Sequence, residues 1–373
     1  MAKHRKTRGV YDEALNFENV YKAWKTVSHT CKNKRGVMEF GLFAHARAAR
    51  ILADLKNRNY YPNRFRCFMI FEPKARLVMS QSIRDKIVNH FVANEYLIPL
   101  LESTLIDANV ATRKEKGASY AYKLVRRYFT QLAAEKPGAK IYALKMDVSK
   151  YFYSIDHEIL FKMLKKKIKD KDVLMILKRI VDETNQPYIN KTIDAFNRKY
   201  GTDIPYYEKD VGLSIGAVTS QFLAIFYLSD LDRKIKEVYK CKYYIRYMDD
   251  LVIWSHDKEW LAELKEKLIR DLEGMKLKAN PKSRIYECGE HGGFTFLGYR
   301  PHIDAKGRYK VICLASTVRR IRARLSWLEG HDFDKYGRSY EAYRGYFYHS
   351  VPAVEVEALV GEKRVEELCA DGL

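Results

Sequence analysis

Apolar and polar positions alternate in two distinct rhythms along the chain. The helical rhythm runs over Phe17–Val27, from about Phe40 to Leu55, and from Ile83 to about Leu101. A further helix is expected over 117–134, after Gly117. A long basic helix or helix pair follows over 158–182, with Leu160, Met163, Leu164, Ile168 and Leu177 on its apolar side. Phe222–Ile235 reads as a buried helix. Asp257 fits an N-cap, and the stripe behind it is Leu261, Leu264, Leu268 and Leu272. The last substantial helix begins after Ser316, with Val318, Ile321, Leu325 and Leu328 inward and Arg319, Arg320, Arg322 and Arg324 outward.

The strand rhythm appears in shorter pieces. Arg64–Phe71 and Leu77–Met79 flank Pro73, which predicts a hairpin. Ile141–Asp147 reads as a strand with Tyr142, Leu144 and Met146 on one face and Lys145 and Asp147 on the other. Two apolar runs, Lys242–Arg246 and Leu251–Trp254, flank Tyr247-Met248-Asp249-Asp250 as a hairpin. Another strand pair surrounds Phe294–Tyr299. Asn185–Asp210 is polar and punctuated by Pro187, Gly201 and Pro205, so a loop-rich insertion is expected there. Val211–Gly216 is tight and glycine-bounded. No internal repeat or low-complexity linker separates these modules, so they are expected to pack together.

Composition narrows the class. With 47% apolar residues in 373, the chain can bury a sizeable core. Its formal charge of +21 points to a polyanionic partner, nucleic acid before an acidic membrane surface. The 28 Tyr, 17 Phe and 4 Trp supply core and surfaces on which bases can stack. No apolar run approaches the ~20 residues of a membrane span, and no apolar segment follows the basic start Met1–Gly9 as a secretory signal would require. That start reads as a mobile arm, either solvated or phosphate-binding. The six cysteines lie far apart without a Cys-x-x-Cys, which argues against a zinc site and a disulfide scaffold and for a reducing cytoplasm.

The chemistry gathers on carboxylates. Asp249 and Asp250 are neighbouring acids at the tip of an apolar hairpin, unfavourable without a cation. Mg²⁺ prefers oxygen ligands and commonly binds through one or two carboxylates plus substrate phosphates. Asp147 ends a second apolar strand; if that strand lies beside the hairpin, Asp147 and Asp249 face each other. Two metals there would hold an attacking hydroxyl and a leaving pyrophosphate in line.

With these motifs in order, the chain resembles reverse transcriptases. Tyr247–Asp250 is similar to their catalytic hairpin, and Met146–Phe152 to the strand carrying the first catalytic Asp. Further matching stretches are Glu72–Arg76, Ser82–Lys86, Ala111–Ala118, Ser214–Gly216 with Ser220-Gln221, Asn280–Ser283 and Phe296–Tyr299. The resemblance covers about residues 40–350. It implies an RNA-directed DNA polymerase with two Mg²⁺ ions, Mn²⁺ being a substitute, held by Asp147, Asp249, Asp250 and the carbonyl of Val148. Phe152 matches a ring that would clash with a ribose 2′-hydroxyl and select deoxynucleotides. Lys74 and Arg76 match a basic pair for the incoming triphosphate, and Lys282 matches a lysine suited to protonating the leaving pyrophosphate. Arg84 and Arg113 would touch template phosphates or structural carboxylates. Arg319, Arg320, Arg322 and Arg324 would grip the template–primer backbone.

The segment Leu213–Gly216 departs from the commoner Pro-Gln-Gly of the family. Ile215 replaces a polar residue that contacts nucleotide and template, while Gly216 still permits close approach. Gly216 through Gln221 resembles the reverse transcriptases of diversity-generating retroelements, which copy a template RNA with errors at adenines. Related antiviral-defence enzymes, which make cDNA from their own noncoding RNA, look similar. About two dozen residues follow Ser350, which disfavours an intron protein, and the thumb Val-Thr-Gly of retron enzymes is not seen. An inactive polymerase-like RNA scaffold would be expected to lose the carboxylates, and an RNA-templated RNA polymerase would not want Phe152.

The implied fold is α+β, a right-hand polymerase with an antiparallel palm sheet backed by helices and a helical thumb. The expected boundaries are a basic extension at 1–35, fingers at 36–140, palm at 141–157 and 211–307, an insertion at 158–210, thumb at 308–350 and an acidic tail at 351–373. The expected partners are a structured noncoding or template RNA, the RNA–DNA hybrid, dNTPs and a small accessory protein or second subunit, without a membrane. The expected location is a bacterial cytoplasm, for a bacterial or phage gene.

Overall fold

A computed structural model of the chain describes residues 9–31, 33–71 and 74–347. The basic start up to residue 8, the acidic tail, and Glu72 and Pro73, where the sequence predicts a turn, lie outside the described residues. Among the described residues the chain divides into two compact units. The first takes residues up to Thr112, Val148–Val238 and Leu268–Asn280; the second takes Arg113–Asp147, Tyr239–Lys267 and the chain from Pro281 onward. This division cuts across the expected 36–140 block, because helix Ala118–Glu135 packs with the sheet of the second unit.

The first unit is mostly helical. Helix Phe17–Thr30 starts at Asn16, whose side chain accepts the Asn19 amide at 2.9 Å, and it buries Val20, Ala23, Trp24 and Val27. It packs on helix Ile83–Val92, which Ser82 caps through the Asp85 amide. That helix continues through a π-turn, Ala93–Leu97, into Ile98–Leu101. The stretch near Phe40–Leu55 forms two helices, Lys34–Gly41 and Ala44–Lys56, rather than one. The basic segment is a pair, His157–Lys167 and Lys171–Val181, capped by Asp156 and Asp170.

The expected loop at 185–210 is corrected by a 14-residue helix, Pro187–Tyr200. Pro187 occupies the first turn, where its missing N–H is harmless, and Gly201 ends the helix in left-handed backbone at φ 61°. Ile189 and Ile193 pack there with Leu77 and Met79 of a two-stranded ladder, β1 (Arg66–Ile70) and β2 (Arg76–Ser80). The ladder is antiparallel with Phe68 opposite Val78. The predicted Phe222–Ile235 helix is broken into Val218–Tyr227, Ser229–Arg233 and a π-turn, Lys234–Val238.

The second unit carries the main sheet. Its strands are β3 (Tyr142–Met146), β4 (Tyr243–Tyr247), β5 (Asp250–Ser255) and β6 (Arg284–Glu287), in the order β4-β5-β3-β6, all antiparallel. Helix Ala118–Glu135 sits with this sheet: Phe129 and Tyr128 meet Trp254 edge-on at 6.0 and 6.1 Å. The Phe294–Tyr299 strand pair is displaced. Phe294 and Phe296 lie before a separate hairpin, β7 (Tyr299–Ile303) and β8 (Tyr309–Cys313). The arginine-bearing helix is Ala315–His331, with Val318, Ile321, Leu325 and Leu328 buried as expected. It is not the last: helix Phe333–Phe347 follows. Phe347 joins Tyr299, Val318, Ile321 and Leu325 in one cluster.

Candidate active site

The carboxylates are positioned by strand pairing. β3 and β5 run antiparallel with Met146 opposite Leu251, so the chain leaves β3 as Asp147 beside the start of β5. β4 and β5 pair up to Tyr247 opposite Asp250, leaving Met248-Asp249 as a two-residue turn. Met248 takes left-handed backbone at φ 57°, a conformation tight hairpin turns require. The result brings the Asp147 and Asp249 carboxyls within hydrogen-bonding reach of each other. Burial first, then the charge of Asp147, pushes the Asp249 carboxyl well above its ordinary value, and Asp250 adds to this by charge.

Residues not anticipated from the sequence hold this turn. Arg246 is fully buried, and its Nη1 donates to the Met248 carbonyl at 2.7 Å. Ser283 Oγ accepts the Asp147 amide at 3.3 Å. Lys145 Nζ lies 3.8 Å from Asp250 Oδ1. The signal for Arg246 was a lone cation inside an apolar strand. Two neighbouring carboxyls, the Asp249 one held above its ordinary pKa by burial and the Asp147 charge, offer only oxygen donors; they fit a hard divalent cation, and Mg²⁺ suits that donor set.

The other candidates fall in both units. In the first, Val148 is buried and bridged to Ala279. Phe152 is half-buried, its ring edge-on to Tyr151, and its carbonyl accepts the Leu213 amide at 2.7 Å. The Ile215 carbonyl accepts the Met79 amide at 3.0 Å, which ties the tight segment to β2. Gly216 sits at φ 122°, where a Cβ would come within 3.3 Å of the Met79 carbonyl. Gly216 and Gln221 line a cleft of about 930 Å³ together with Arg64, Arg66, Met79 and Lys86. Lys74 and Arg76 are exposed on the hairpin. Arg84 takes the structural alternative: its guanidinium bonds Asp54 at 3.0 Å and Asp85 at 3.3 Å and lies over the Tyr60 ring.

In the second unit Lys282 is exposed and Arg113 half-buried. Arg319, Arg320 and Arg324 are exposed on helix Ala315–His331, with Arg324 over the Trp327 ring, and Arg322 is half-buried.

Comparison with known proteins settles the family. The profile of the reverse transcriptase (RNA-dependent DNA polymerase) family matches residues 72–300, more than half of the chain. The chain belongs to the reverse transcriptase family. Its mixed helices and antiparallel sheets are those of the family's right-hand polymerase fold. Protein YkfC of Escherichia coli (strain K12) is 25% identical over 285 residues, covering 67% of this chain and 69% of YkfC. Among solved structures, telomerase from Candida albicans, in complex with a fragment of telomeric RNA, aligns at TM-score 0.47 and 12% identity over 72% of this chain and 51% of that one. Apo telomerase from Candida tropicalis, truncated from its C-terminal domain, aligns at TM-score 0.46 and 13% identity over 70% and 58%. This reverse transcriptase chain thus spans about half the length of the telomerase chains. Among the described residues, no helix is long and apolar enough to cross a membrane.

Proposed function

We propose that this chain copies an RNA template into DNA by metal-assisted nucleotidyl transfer. The observation that carries the reading is the approach of Asp147 and Asp249 at the end of a mostly apolar sheet. Asp147, Asp249 and Asp250, with the Val148 carbonyl, would hold two Mg²⁺ ions, for which Mn²⁺ can substitute. When bound, the ions supply charge neutralisation and a more acidic primer hydroxyl. The primer 3′-hydroxyl gives up its proton to solvent water, its oxygen forms a bond to the α-phosphorus, the bond to the bridging oxygen breaks, and pyrophosphate leaves. Lys282 gives that leaving group a proton. Lys74 and Arg76 neutralise the triphosphate, Arg76 through its planar fork. Phe152 excludes a 2′-hydroxyl, Gly216 admits the nucleotide close to the backbone, and Gln221 lines the same subsite. The arginines of helix Ala315–His331 hold the template–primer backbone.

The template in this reading is a dedicated structured RNA of a diversity-generating retroelement. The support is the Gly216–Gln221 pattern and the apolar Ile215, which removes an amide that would check pair geometry. Two measurements test it. Purified protein is assayed with dNTPs and with NTPs, and RNA that copurifies is sequenced with any attached cDNA. Deoxynucleotide incorporation with raised misincorporation opposite adenine is expected; incorporation of neither class removes the polymerase reading. cDNA of a defence-locus noncoding RNA, copied faithfully, moves the assignment to antiviral defence.

A further inference from the structure

Away from the carboxylate hairpin, one cluster in the first unit joins three chain segments. His157 opens helix His157–Lys167, Asp182 follows helix Lys171–Val181, and Asp210 precedes the tight segment. One donor atom from each lies within 4.8 Å of the other two. They line a cleft of about 770 Å³.

The imidazole shows what the cluster is built for. His157 Nε2 lies 2.7 Å from the Gly212 carbonyl, which can only accept, so Nε2 carries the proton. In the neutral ring Nδ1 is then a bare lone pair. The His157 side chain is 4% exposed, Nδ1 has no hydrogen-bond partner, and it sits 3.7 Å from Asp182 Oδ1. A buried nitrogen lone pair aimed at two carboxylates is a costly arrangement unless something electropositive lies among them.

The carboxylates are pinned as well. The His157 amide donates to the Asp210 carbonyl at 3.0 Å. Asn185 accepts the Asp210 amide at 2.8 Å and donates to its Oδ1 at 3.0 Å. Lys178 Nζ, on a side chain that is more than half exposed, donates to Asp182 Oδ1 at 3.0 Å and lies 2.8 Å from its Oδ2. That ammonium neutralises one of the two acids from the solvent side and leaves Nδ1 unserved.

We propose that His157, Asp182 and Asp210 form a transition-metal site, best suited to Zn²⁺, that fastens the segment leading to Gly216. One imidazole and two carboxylates match Zn²⁺ better than Mg²⁺ or Ca²⁺, which favour all-oxygen shells. A tetrahedral shell with bonds of about 2.0 Å has edges of about 3.3 Å, within the swing of two short acids from the spacing seen. Water completes the shell. The functional link is through the backbone: His157 holds the Gly212 carbonyl, so the ion would brace the near end of the strip carrying Gly216, whose far end the Ile215 carbonyl ties to Met79. The inference does not depend on the polymerase reading.

The test uses the full chain in excess Mg²⁺, so that oxygen-only sites are filled, and titrates Zn²⁺ against a chromophoric chelator. The wild type is expected to take up one Zn²⁺ and to unfold at a higher temperature with it. Asp182→Asn, at a partly exposed position, and Asp210→Asn, at an exposed one, are expected to bind at least about tenfold more weakly and to lose the thermal shift. Lys178→Met is expected to bind more tightly, because it removes a competing cation. Equal affinity in the two Asn variants, or weaker binding in Lys178→Met, overturns the proposal, as does absence of Zn²⁺ uptake by the wild type.

Discussion

Arg246, fully buried in β4, donates a 2.7 Å hydrogen bond to the carbonyl of Met248, the residue that turns the chain into Asp249. The bond fixes a turn whose backbone is already in the left-handed region. Arg246→Met keeps most of the side-chain volume and removes this donor. Because a displacement of about 1 Å at a reacting centre can cost roughly a hundredfold in rate, we expect incorporation to fall on that scale. Primer–template affinity, measured by filter binding, should change little. An equal loss in binding would mean that Arg246 supports the whole unit rather than the turn.

Asp249 offers a prediction with opposite signs for activity and stability. Burial and the Asp147 charge disfavour its ionised form, so the metal-free protein carries repulsion at this point. Asp249→Asn should abolish incorporation, since a cation-binding oxygen and a charge are lost together. It should also raise the unfolding midpoint in EDTA, and that gain should shrink when millimolar Mg²⁺ is added to both proteins. Calorimetry with and without chelator checks this; a variant that is less stable in EDTA would contradict the repulsion.

The legible and illegible parts of the chain differ for physical reasons. The carboxylate hairpin could be read because short, nearly continuous apolar runs, buried in the sheet, end directly in acids at Asp147 and Asp249. The helix Pro187–Tyr200 could not, because only Ile189 and Ile193 of its fourteen residues are buried and Pro187 resembles a breaker when it is in fact the first turn. Helix Phe333–Phe347 was hidden likewise, with Phe347 its one buried residue and its tyrosines only partly buried against the cluster. His157, Asp182 and Asp210 lie 25 and 28 residues apart, and no spacing rule joins them.

The arginines of helix Ala315–His331 should reveal themselves through salt. Arg319, Arg320 and Arg324 are exposed, while the opposite side of the helix is buried in its cluster. Each arginine that contacts a phosphate adds about one to the steepness of the log–log dependence of affinity on salt. Arg319→Gln with Arg320→Gln is therefore expected to weaken primer–template binding without sequence preference and to flatten that dependence by about two. An unchanged slope would make them simply the wet side of the helix.

Glu183 links burial to pH. It is 6% exposed, and neither carboxyl oxygen has a hydrogen-bond partner. Burial, reinforced by the charge of Asp85, raises its pKa from 4.5 to about 9. The folded protein therefore holds Glu183 protonated at neutral pH, whereas the unfolded chain ionises it above about 4.5. The contribution to stability is most favourable below that value and is lost progressively as pH rises toward 9, where the folded form ionises too. Glu183→Gln keeps the shape and removes the titration. The variant should match the wild type near pH 4.5 and exceed it by a few kcal/mol near pH 8, on the scale set by a shift of several pKa units. Urea unfolding at the two pH values measures the difference directly, and a constant gap across the range would show that Glu183 finds a partner for its charge when folded.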